Sequence, residues 1–329
     1  MKTFFSVLIV NFNGLEHLPA CFSSLQKQTF QNFEVVFVDN ASTDDSILWV
    51  SEHYSKAHIL KSDTNLGFAG GNNLGFAHCK SPYVYLLNND TVLFPDTLEK
   101  LKAALDRAPP HSVIQSLMLD FSDPQRVDSR GDTLYWMGSA YNGRGELASD
   151  LDSEETLLPI ASACGGASLW PANLFRKLGG FDESYFLIFE DLDLSFRARH
   201  FGASIYLAKD SKVLHKGSAS IGRSSALSTY HSARNLTWTH IKNYPIITLI
   251  KASPMLVFQK ILNAFFAFKS AHLKTWIQSQ IGLVTGIVPI LKKRRKILSE
   301  SKISRKEFEK WLRKKWLLER LHHHNNKKQ

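Results

Sequence analysis

"FFSVLIVNFNG", residues 4–14, is an apolar run that ends in a polar turn. Continuous apolar runs of this kind are typical of strands that are buried on both faces of a parallel sheet. The opening "MKTFFSVLIV" could also be a signal peptide, but it has a single Lys and no A-x-A cleavage site follows it. We therefore interpret residues 4–10 as a buried first strand.

Strand and helix patterns alternate over the first 110 residues. Further strands are predicted at three later runs: 33–39, 57–62 and 83–90. Ser42, with Asp45 three positions later, predicts a helix start, and Pro95 is predicted to lie just inside another helix. Between about 110 and 170 the pattern becomes irregular and predicts hairpins and loops. The alternation predicts an α/β fold in which a mostly parallel sheet is covered by helices on both faces.

The net charge of +10 on the 329 residues is unevenly distributed. Residues 251–329 hold 19 Lys or Arg and 4 Asp or Glu, which leaves residues 1–250 at a net charge of −5. A basic tail of this kind is suited to phosphate groups, either in nucleic acid or on a membrane surface. Cys21, Cys79 and Cys164 form no C-x-x-C pair, which predicts reduced thiols in a cytosolic setting.

Polar side chains follow the predicted strands at the points where the strands end. Three ends are Asn11–Gly14, Asp39–Asn40 and Asn88–Asp90, and a glycine-rich loop covers 65–75. Each of these is also an ordinary turn sequence. The carboxyl ends of parallel strands, however, share one edge of the sheet, and ligands bind at that edge in open α/β sheets. The set therefore predicts a binding site.

The kind of ligand is narrowed by motifs that are missing from the sequence. No G-x-G-x-x-G follows the first strand and no Walker loop occurs, which argues against a dinucleotide or P-loop site. A nucleotide held through its base and ribose fits better. Phe12 offers a ring for stacking, and Asp39 can accept hydrogen bonds from a base N–H or a ribose hydroxyl. Asp90 is a hard oxygen ligand suited to Mg²⁺ or Mn²⁺.

"YFLIFEDLDLSFRAR", residues 185–199, places three acidic residues at the start of a predicted helix. Glu190, Asp191 and Asp193 would meet the positive end of the helix dipole. Asp193 can also pair with Arg197 at i,i+4. The acidic residues therefore have a structural explanation, and a catalytic role for them depends on the rest of the chain.

Six motifs, in order, resemble those of the family 2 inverting glycosyltransferases, which have the GT-A fold. They are SVLIVNFNG, VVFVDNASTDDS, NLGFAGGNNLGF, YVYLLNND, CGGASLWPANLFRKLGGFDESYFLIFEDLDLSFRAR and VLHKGSAS. The resemblance spans roughly residues 4–245 and implies a GT-A glycosyltransferase domain over residues 1–245. Among relatives, the chain looks most like bacterial enzymes that add rhamnose or similar sugars to polysaccharide and lipopolysaccharide precursors.

The resemblance implies roles for particular residues. Asp191 would be the general base that takes the proton of the acceptor hydroxyl, and Glu190 would orient the site or the acceptor. Asp90 would be the charged ligand of Mg²⁺ or Mn²⁺, and His215 would reach the metal or the diphosphate from the other side, unless it only caps a strand end. Six residues would hold the nucleotide sugar: Phe12, Asn13, Asp39, Asn65, Asn72 and Asn89.

The sequence departs from the family pattern in two places. Asn88 and Asn89 leave Asp90 as the one charged residue of the family's D-x-D, although the diphosphate brings negative oxygens of its own. Asn72 lies where many relatives have an Arg on the phosphate side. The Asn88-Asn89 departure favours an inactive sugar-nucleotide-binding scaffold as one alternative. A nucleotidyltransferase is another, but the Gly-rich, Arg- or Lys-containing loop of such enzymes does not follow the first strand.

Residues 246–329 are predicted to form a basic, amphipathic helical tail that associates with a membrane. The stretch 246–291 is apolar but interrupted by polar residues, and "KKRRK" (292–296), Trp311 and Trp316 supply basic and aromatic flanks. This pattern favours peripheral attachment to the inner face of the cytoplasmic membrane. A spanning or re-entrant segment and a plain helical extension are the alternatives. The tail has no recognised nucleic-acid motif, so we expect no nucleic acid partner.

The sequence thus predicts a metal-dependent inverting glycosyltransferase. The donor would be a UDP- or dTDP-sugar, with dTDP-rhamnose among the candidates. The acceptor would be a glycan, lipid-linked as the resemblance implies, in the synthesis of cell-surface polysaccharide or lipopolysaccharide.

Overall fold

The computed structural model of the chain describes residues 3–136, 138–151, 154–217 and 225–313. Its strands in chain order are β1 (Phe5–Asn11), β2 (Phe33–Asp39), β3 (His58–Lys61), β4 (Tyr83–Asn88), β5 (Thr91–Leu93), β6 (Val113–Asp120), β7 (Val127–Ser129), β8 (Thr133–Tyr135), β9 (Ala140–Tyr141), β10 (Leu157–Pro159), β11 (Ala167–Pro171), β12 (Ile205–His215) and β13 (Leu312–Arg313). Within the described residues, a ten-stranded sheet has the order β10-β12-β6-β11-β4-β1-β2-β3, with β5 beside β12 and β7 beside β6. A second sheet has the order β13-β8-β9.

The α-helices lie between and after these strands. They are α1 (Leu18–Gln26), α2 (Ser46–His53), α3 (Gly67–Phe76), α4 (Thr97–Arg107), α5 (Ala172–Lys177), α6 (Glu190–His200), α7 (Ala226–Asn243), α8 (Ile246–Lys269), α9 (Leu273–Thr285), α10 (Ile287–Ser299) and α11 (Arg305–Glu309).

The large sheet is parallel over the part that the first strands build. β1 pairs in parallel with both β2 and β4, and β2 pairs in parallel with β3. β6 and β12 form a second parallel pair, while β11 lies antiparallel between β4 and β6. The prediction of a largely parallel α/β sheet is therefore confirmed.

The apolar run of β1 packs against helices on both faces of the sheet. Phe5, Val7 and Ile9 belong to a core cluster that also contains side chains of α1, α2 and α4. Leu8 points to the other face, into a cluster that contains side chains of α3, α5 and α6. Because successive strand residues face opposite sides, one buried strand anchors both helix layers. The predicted two-sided cover is confirmed.

Two predicted helix starts lie a few residues from the observed ones. α2 begins at Ser46, and Ser42 does not cap it because the Ser42 hydroxyl accepts a hydrogen bond from the backbone N–H of Asn13 (2.9 Å). α4 begins at Thr97, so Pro95 precedes the helix instead of lying inside it. The Ser42 prediction failed because this side chain joins two loops at the binding edge, a contact that local sequence does not reveal.

The tail folds back onto the body of the protein. α7 packs against α9 and α10, and β13 pairs with β8 so that Leu312 lies opposite Leu134. α8 has 24 residues and is long and apolar enough to cross a membrane by length and composition alone. Trp316 lies outside the described residues.

Candidate active site

The polar ends of β1, β2 and β4 meet at one edge of the sheet. Asn11 lies opposite Asp39 in the parallel register. The backbone N–H of Asn40 donates to the carbonyl of Asn11 (2.8 Å), and the side-chain amide of Asn89 donates to Asn11 Oδ1 (2.6 Å). The strand ends that the sequence singled out are therefore joined by hydrogen bonds, as their shared edge predicts.

Asp39 is fully buried at the end of β2. Its Oδ2 accepts a hydrogen bond from the N–H of Ser42 (3.0 Å), whereas Oδ1 has no partner among the described residues. A buried acceptor without a donor costs roughly 1–3 kcal/mol. Asp39 is thus suited to accept a hydrogen bond from a ligand through Oδ1. Phe12, 38 % exposed, offers its ring just beyond β1.

The predicted Asn residues each bond within the protein. Asn13 Oδ1 accepts from Thr43 N (2.7 Å), Asn65 Oδ1 accepts from Gly67 N (2.8 Å), Asn72 Nδ2 donates to Phe68 O (2.9 Å) and Asn89 Nδ2 donates to Asn11 Oδ1. These bonds fix the loops around the edge. A direct contact of the four residues with a nucleotide sugar stays a prediction.

Asp90 and His215 approach each other across the ends of β4 and β12. His215 Nε2 lies 3.2 Å from Asp90 Oδ1, and His215 Nδ1 lies 2.6 Å from Asp128 Oδ2. Burial by itself would lower the pKa of His215, but the hydrogen bonds to Asp128 and Asp90 and their charges raise it to about 9. Asp128 therefore holds the ring with Nε2 facing Asp90.

Asp90 and His215 fit a divalent metal, but they supply only part of its ligands. Neighbouring ligands of an octahedral Mg²⁺ lie about 3 Å apart, which is close to the observed separation of His215 Nε2 and Asp90 Oδ1. Metal-bound histidines usually donate their second ring N–H to a carboxylate, as His215 does to Asp128. Among the described residues, however, no group of three or more His, Cys, Asp or Glu side chains is placed to hold a metal ion. The remaining ligands have to come from water or a bound diphosphate.

Asp191 lies in the first turn of α6, next to the glycine pair that precedes β11. Its Oδ2 accepts a hydrogen bond from the N–H of Gly165 (3.1 Å), while the carbonyl of Gly166 accepts one from the N–H of Asn88 (2.9 Å). A Cβ added at Gly165 would lie 2.9 Å from the ring of Phe68, so a larger residue there would require this ring to move. The glycine pair thus joins Asp191 to the end of β4.

Three carboxyl groups near the start of α6 differ in their protonation. Burial raises the pKa of Asp191, but the N–H groups of Gly165 and Leu192 oppose the rise. Burial and the charge of Asp191 raise the pKa of Glu190 well above its usual range, and Glu190 Oε2 has no partner among the described residues. The same two causes raise the pKa of Asp132 to about 7. Of these three carboxyl groups, Asp191 has the charged form that is best stabilised, as a general base requires.

Asp128 and Asp132 are site residues that the sequence did not reveal. Asp128 lies in β7 and orients His215, which is 87 positions away in sequence. Asp132 lies just before β8 and accepts a hydrogen bond from the Ser162 hydroxyl. Both belong to the irregular region, where no periodicity indicates which side chains face the site. A buried acidic residue next to a Gly-containing turn is the only local signal, and it is weak.

Comparisons with known proteins identify sequence relatives of this chain. A family model described as Glycosyl transferase family 2 matches residues 6–163. The chain is 24 % identical to the low-salt glycan biosynthesis hexosyltransferase Agl10 of Haloferax volcanii, over 59 % of this chain and 61 % of that protein. It is 25 % identical to the N-acetylglucosaminyl-diphospho-decaprenol L-rhamnosyltransferase of Mycobacterium tuberculosis, over 69 % of this chain and 81 % of that protein. The match therefore spans less than two thirds of the Haloferax relative.

Solved structures support the same fold. The crystal structure of GalNAc-T7 with UDP, GalNAc and Mn²⁺ matches with a TM-score of 0.59 at 15 % sequence identity, over 71 % of this chain and 48 % of that chain. Similarity at this level of identity establishes the architecture alone. Residues 6–163, just under half of the chain, match the model of glycosyl transferase family 2, and the chain has the GT-A fold that its motifs predicted.

Proposed function

We propose that this chain is a metal-dependent inverting hexosyltransferase. It moves a sugar from a UDP- or dTDP-sugar, with dTDP-rhamnose among the candidates, to a glycan acceptor on a lipid carrier. The names of the Haloferax and mycobacterial relatives support the hexosyl and rhamnosyl classes, and the mycobacterial name supports a diphospholipid-linked acceptor. The observation that carries the proposal is the carboxylate of Asp191, held by the Gly165 N–H beside the end of β4.

The donor binds at the strand-end edge. Asp39 accepts a hydrogen bond from the base or ribose through its unpaired Oδ1, and the exposed ring of Phe12 stacks on the base. Asp90 and His215 hold the cation, and Asp128 keeps the imidazole oriented. When bound there, Mg²⁺ or Mn²⁺ supplies positive charge that stabilises the leaving diphosphate.

Asp191 acts on the acceptor. Its carboxylate takes the proton of the acceptor hydroxyl as that oxygen attacks the anomeric carbon of the donor. The bond between this carbon and the diphosphate oxygen breaks on the opposite face, so the configuration inverts. Glu190 is kept neutral by burial and by the charge of Asp191, and it can therefore donate a hydrogen bond that orients the site or the acceptor.

An inactive scaffold remains the rival from another class. Asn88 and Asn89 favour it, since they reduce the charge available to a cation. In the fold, both are engaged: Asn89 bonds to Asn11, and Asn88 Nδ2 lies 3.4 Å from His215 Nε2. The nucleotidyltransferase rival has no observation in its favour.

We also propose that the tail attaches the enzyme to the inner face of the cytoplasmic membrane. Ten large apolar side chains of α8 are exposed: Ile246, Ile247, Ile250, Met255, Val257, Phe258, Ile261, Phe265, Phe266 and Phe268. Exposed apolar surface of this extent supports a membrane or protein contact. Only part of the basic stretch 292–296 is available to contact a membrane, because Lys293 pairs with Asp182 (2.6 Å) and Arg294 donates to the carbonyl of Ile241.

The test is donor hydrolysis by the purified chain across a panel of UDP- and dTDP-sugars, with Mn²⁺ or Mg²⁺ and with or without EDTA. Release of free nucleotide diphosphate from one donor, abolished by EDTA, would support the proposal and identify the sugar. Metal-dependent binding without turnover would show that the acceptor is still needed. If no donor binds, the scaffold hypothesis is favoured.

A further inference from the structure

The segment Tyr185–Phe189, which we call the pre-helix segment, leads into α6, the helix that carries the candidate base Asp191. Its backbone angles are unusual. Phe186 has φ 65° and ψ −62°, and the N–H of Leu187 donates to the carbonyl of Tyr185 (2.8 Å). These are the angles and the hydrogen bond of the rare γ-turn with positive φ. Ile188 (φ 66°) and Phe189 (φ 69°) are also left-handed. Positive φ at bulky or β-branched residues is strained and persists only where surrounding contacts impose it.

One side chain contacts most of this segment. Asn235 on α7 is fully buried. Its Nδ2 lies within hydrogen-bonding distance of the carbonyl oxygens of Tyr185 (3.0 Å), Leu187 (2.8 Å) and Ile188 (2.8 Å). Arg234 Nε donates to Asn235 Oδ1 (2.9 Å), so the amide orientation follows from its partners.

Asn235 does not contact the carbonyl of Phe186, which bonds to the other side of the site. Phe186 O accepts a hydrogen bond from the N–H of Ala69 (3.1 Å), in the first turn of α3. Most of the glycine-rich stretch 65–75, which the sequence predicted as a loop, is this helix. A Cβ added at Gly67 would lie 2.4 Å from this same oxygen. The pre-helix segment therefore lies between the start of α3 on one side and Asp191 on the other.

We infer that Asn235 is a positioning residue for the transfer reaction. It holds the pre-helix segment in its strained conformation, and this fixes the Asp191 carboxylate relative to the start of α3, next to the donor-binding edge proposed above. Asn235 does not touch the reacting atoms, and it lies outside the stretch that the family model matches. The inference rests on the proposed function for its kinetic consequence, but the contact itself can be tested without activity.

The experiment compares Asn235→Ala with a matched control, Gln28→Ala. Gln28 is also a buried amide that holds a loop: its Nε2 donates to the carbonyls of Ser24 (3.0 Å) and Phe94 (2.8 Å), and its Oε1 accepts from the N–H of Leu98 (3.0 Å). It lies at the end of α1, away from α6. Both substitutions remove buried hydrogen bonds, so both should lower the melting temperature.

Only the change at Asn235 should affect the reaction. For Asn235→Ala we expect kcat to fall on the order of 10²-fold, as for a displaced catalytic group, while the donor Kd changes by less than about threefold. For Gln28→Ala we expect kcat within about twofold of the parent. Hydrogen–deuterium exchange of the peptide covering 185–193 should become faster in Asn235→Ala and not in Gln28→Ala.

Two results would overturn the inference: unchanged exchange at 185–193 in Asn235→Ala, or a kcat for this variant no lower than that of Gln28→Ala. If Asn235→Ala does not fold, Asn235→Ser, which keeps one donor, is measured against the same control and the same two criteria. A parent that transfers no sugar would instead contradict the proposed function. The exchange comparison would then still decide whether Asn235 holds the segment.

Discussion

The protonation of Asp191 depends on a few atoms within hydrogen-bonding distance. Two backbone N–H groups and the positive end of α6 stabilise its charge, while burial opposes it. Glu190 and Asp132 have raised pKa values, so their neutral forms limit the repulsion that three carboxylates would cause. Asp193, in the same turn, keeps its charge but is paired with Arg197 and Lys242, which leaves Asp191, among the described residues, as the anion without a cationic partner that can act as the base of an inverting transfer.

Cation binding at Asp90 and His215 should strengthen with rising pH. Below the His215 pKa of about 9, a proton on Nε2 competes with the cation. Mn²⁺ binding, followed by electron paramagnetic resonance, should give a Kd that falls about tenfold per unit between about pH 6 and 8. Asp128→Asn removes one of the groups that raise this pKa, so its Kd should depend less steeply on pH. A Kd that is independent of pH would contradict His215 as a ligand.

A buried ion network anchors α6 to neighbouring helices. Asp193 pairs with Arg197 (2.8 Å), as the i,i+4 spacing predicted, and with Lys242 of α7 (2.9 Å). Lys242 also binds Asp182 (2.6 Å), which pairs with Lys293 of α10. Burial opposes the charge on both aspartates, but Lys242 holds the pKa of each below its usual value. The network therefore joins the base-bearing helix to the tail helices.

Removing Lys242 should destabilise the fold strongly. Lys242→Met leaves two buried carboxylates without their shared partner, and we expect a loss of about 3–5 kcal/mol in the free energy of unfolding at pH 7. The control Lys251→Met removes a half-exposed cation 3.9 Å from Glu309, which keeps its pair with Arg305, and should cost less than about 1 kcal/mol. Urea unfolding measures both. Equal losses would show that the network contributes little.

The stabilisation that this network gives to the fold should decrease in acid. The folded-state pKa of Asp193 lies below its unfolded value, so its contribution to stability is fully present above the unfolded pKa. It is lost as the pH falls through the folded pKa. The difference in stability between parent and Lys242→Met should therefore shrink in acid.

The whole molecule has an exposed apolar surface on one set of helices. Besides those of α8, exposed apolar side chains lie on α9 and α10: Ile277, Ile281, Val284, Val288 and Leu291. Lys292, Arg295 and Lys296 are exposed next to this surface. Apolar area beside cations is the combination that adsorbs to anionic headgroups.

Binding to anionic vesicles should depend on this surface. Replacing Phe265, Phe266 and Phe268 with Ser should weaken sedimentation with phosphatidylglycerol vesicles on the order of 10²-fold, because three apolar side chains are removed from the contact. Leu48→Ser, at an equally exposed position on α2, should have no effect. Vesicle binding by the triple variant equal to that of the parent would contradict the proposed membrane contact.

The fold and the strand-end edge of the site were predictable from sequence because both depend on short-range patterns. Apolar runs ending in Asn11, Asp39 and Asn88 identified the parallel strands, and their common edge followed from sheet geometry. The roles of Asp128 and Asn235 depend on partners far away in sequence, so no local pattern indicates them. The exposed surface of α8 likewise required the packing of the tail to be known.

The central claim is that Asp191 is the base of an inverting sugar transfer, and Asp191→Asn tests it most directly. Asn keeps the size of the side chain and an acceptor for the Gly165 N–H but cannot take a proton. Once a donor and an acceptor are identified, we expect the transfer rate at saturating donor to fall by about 10²–10⁴-fold with the donor Kd nearly unchanged. A transfer rate equal to that of the parent would remove Asp191 from the mechanism.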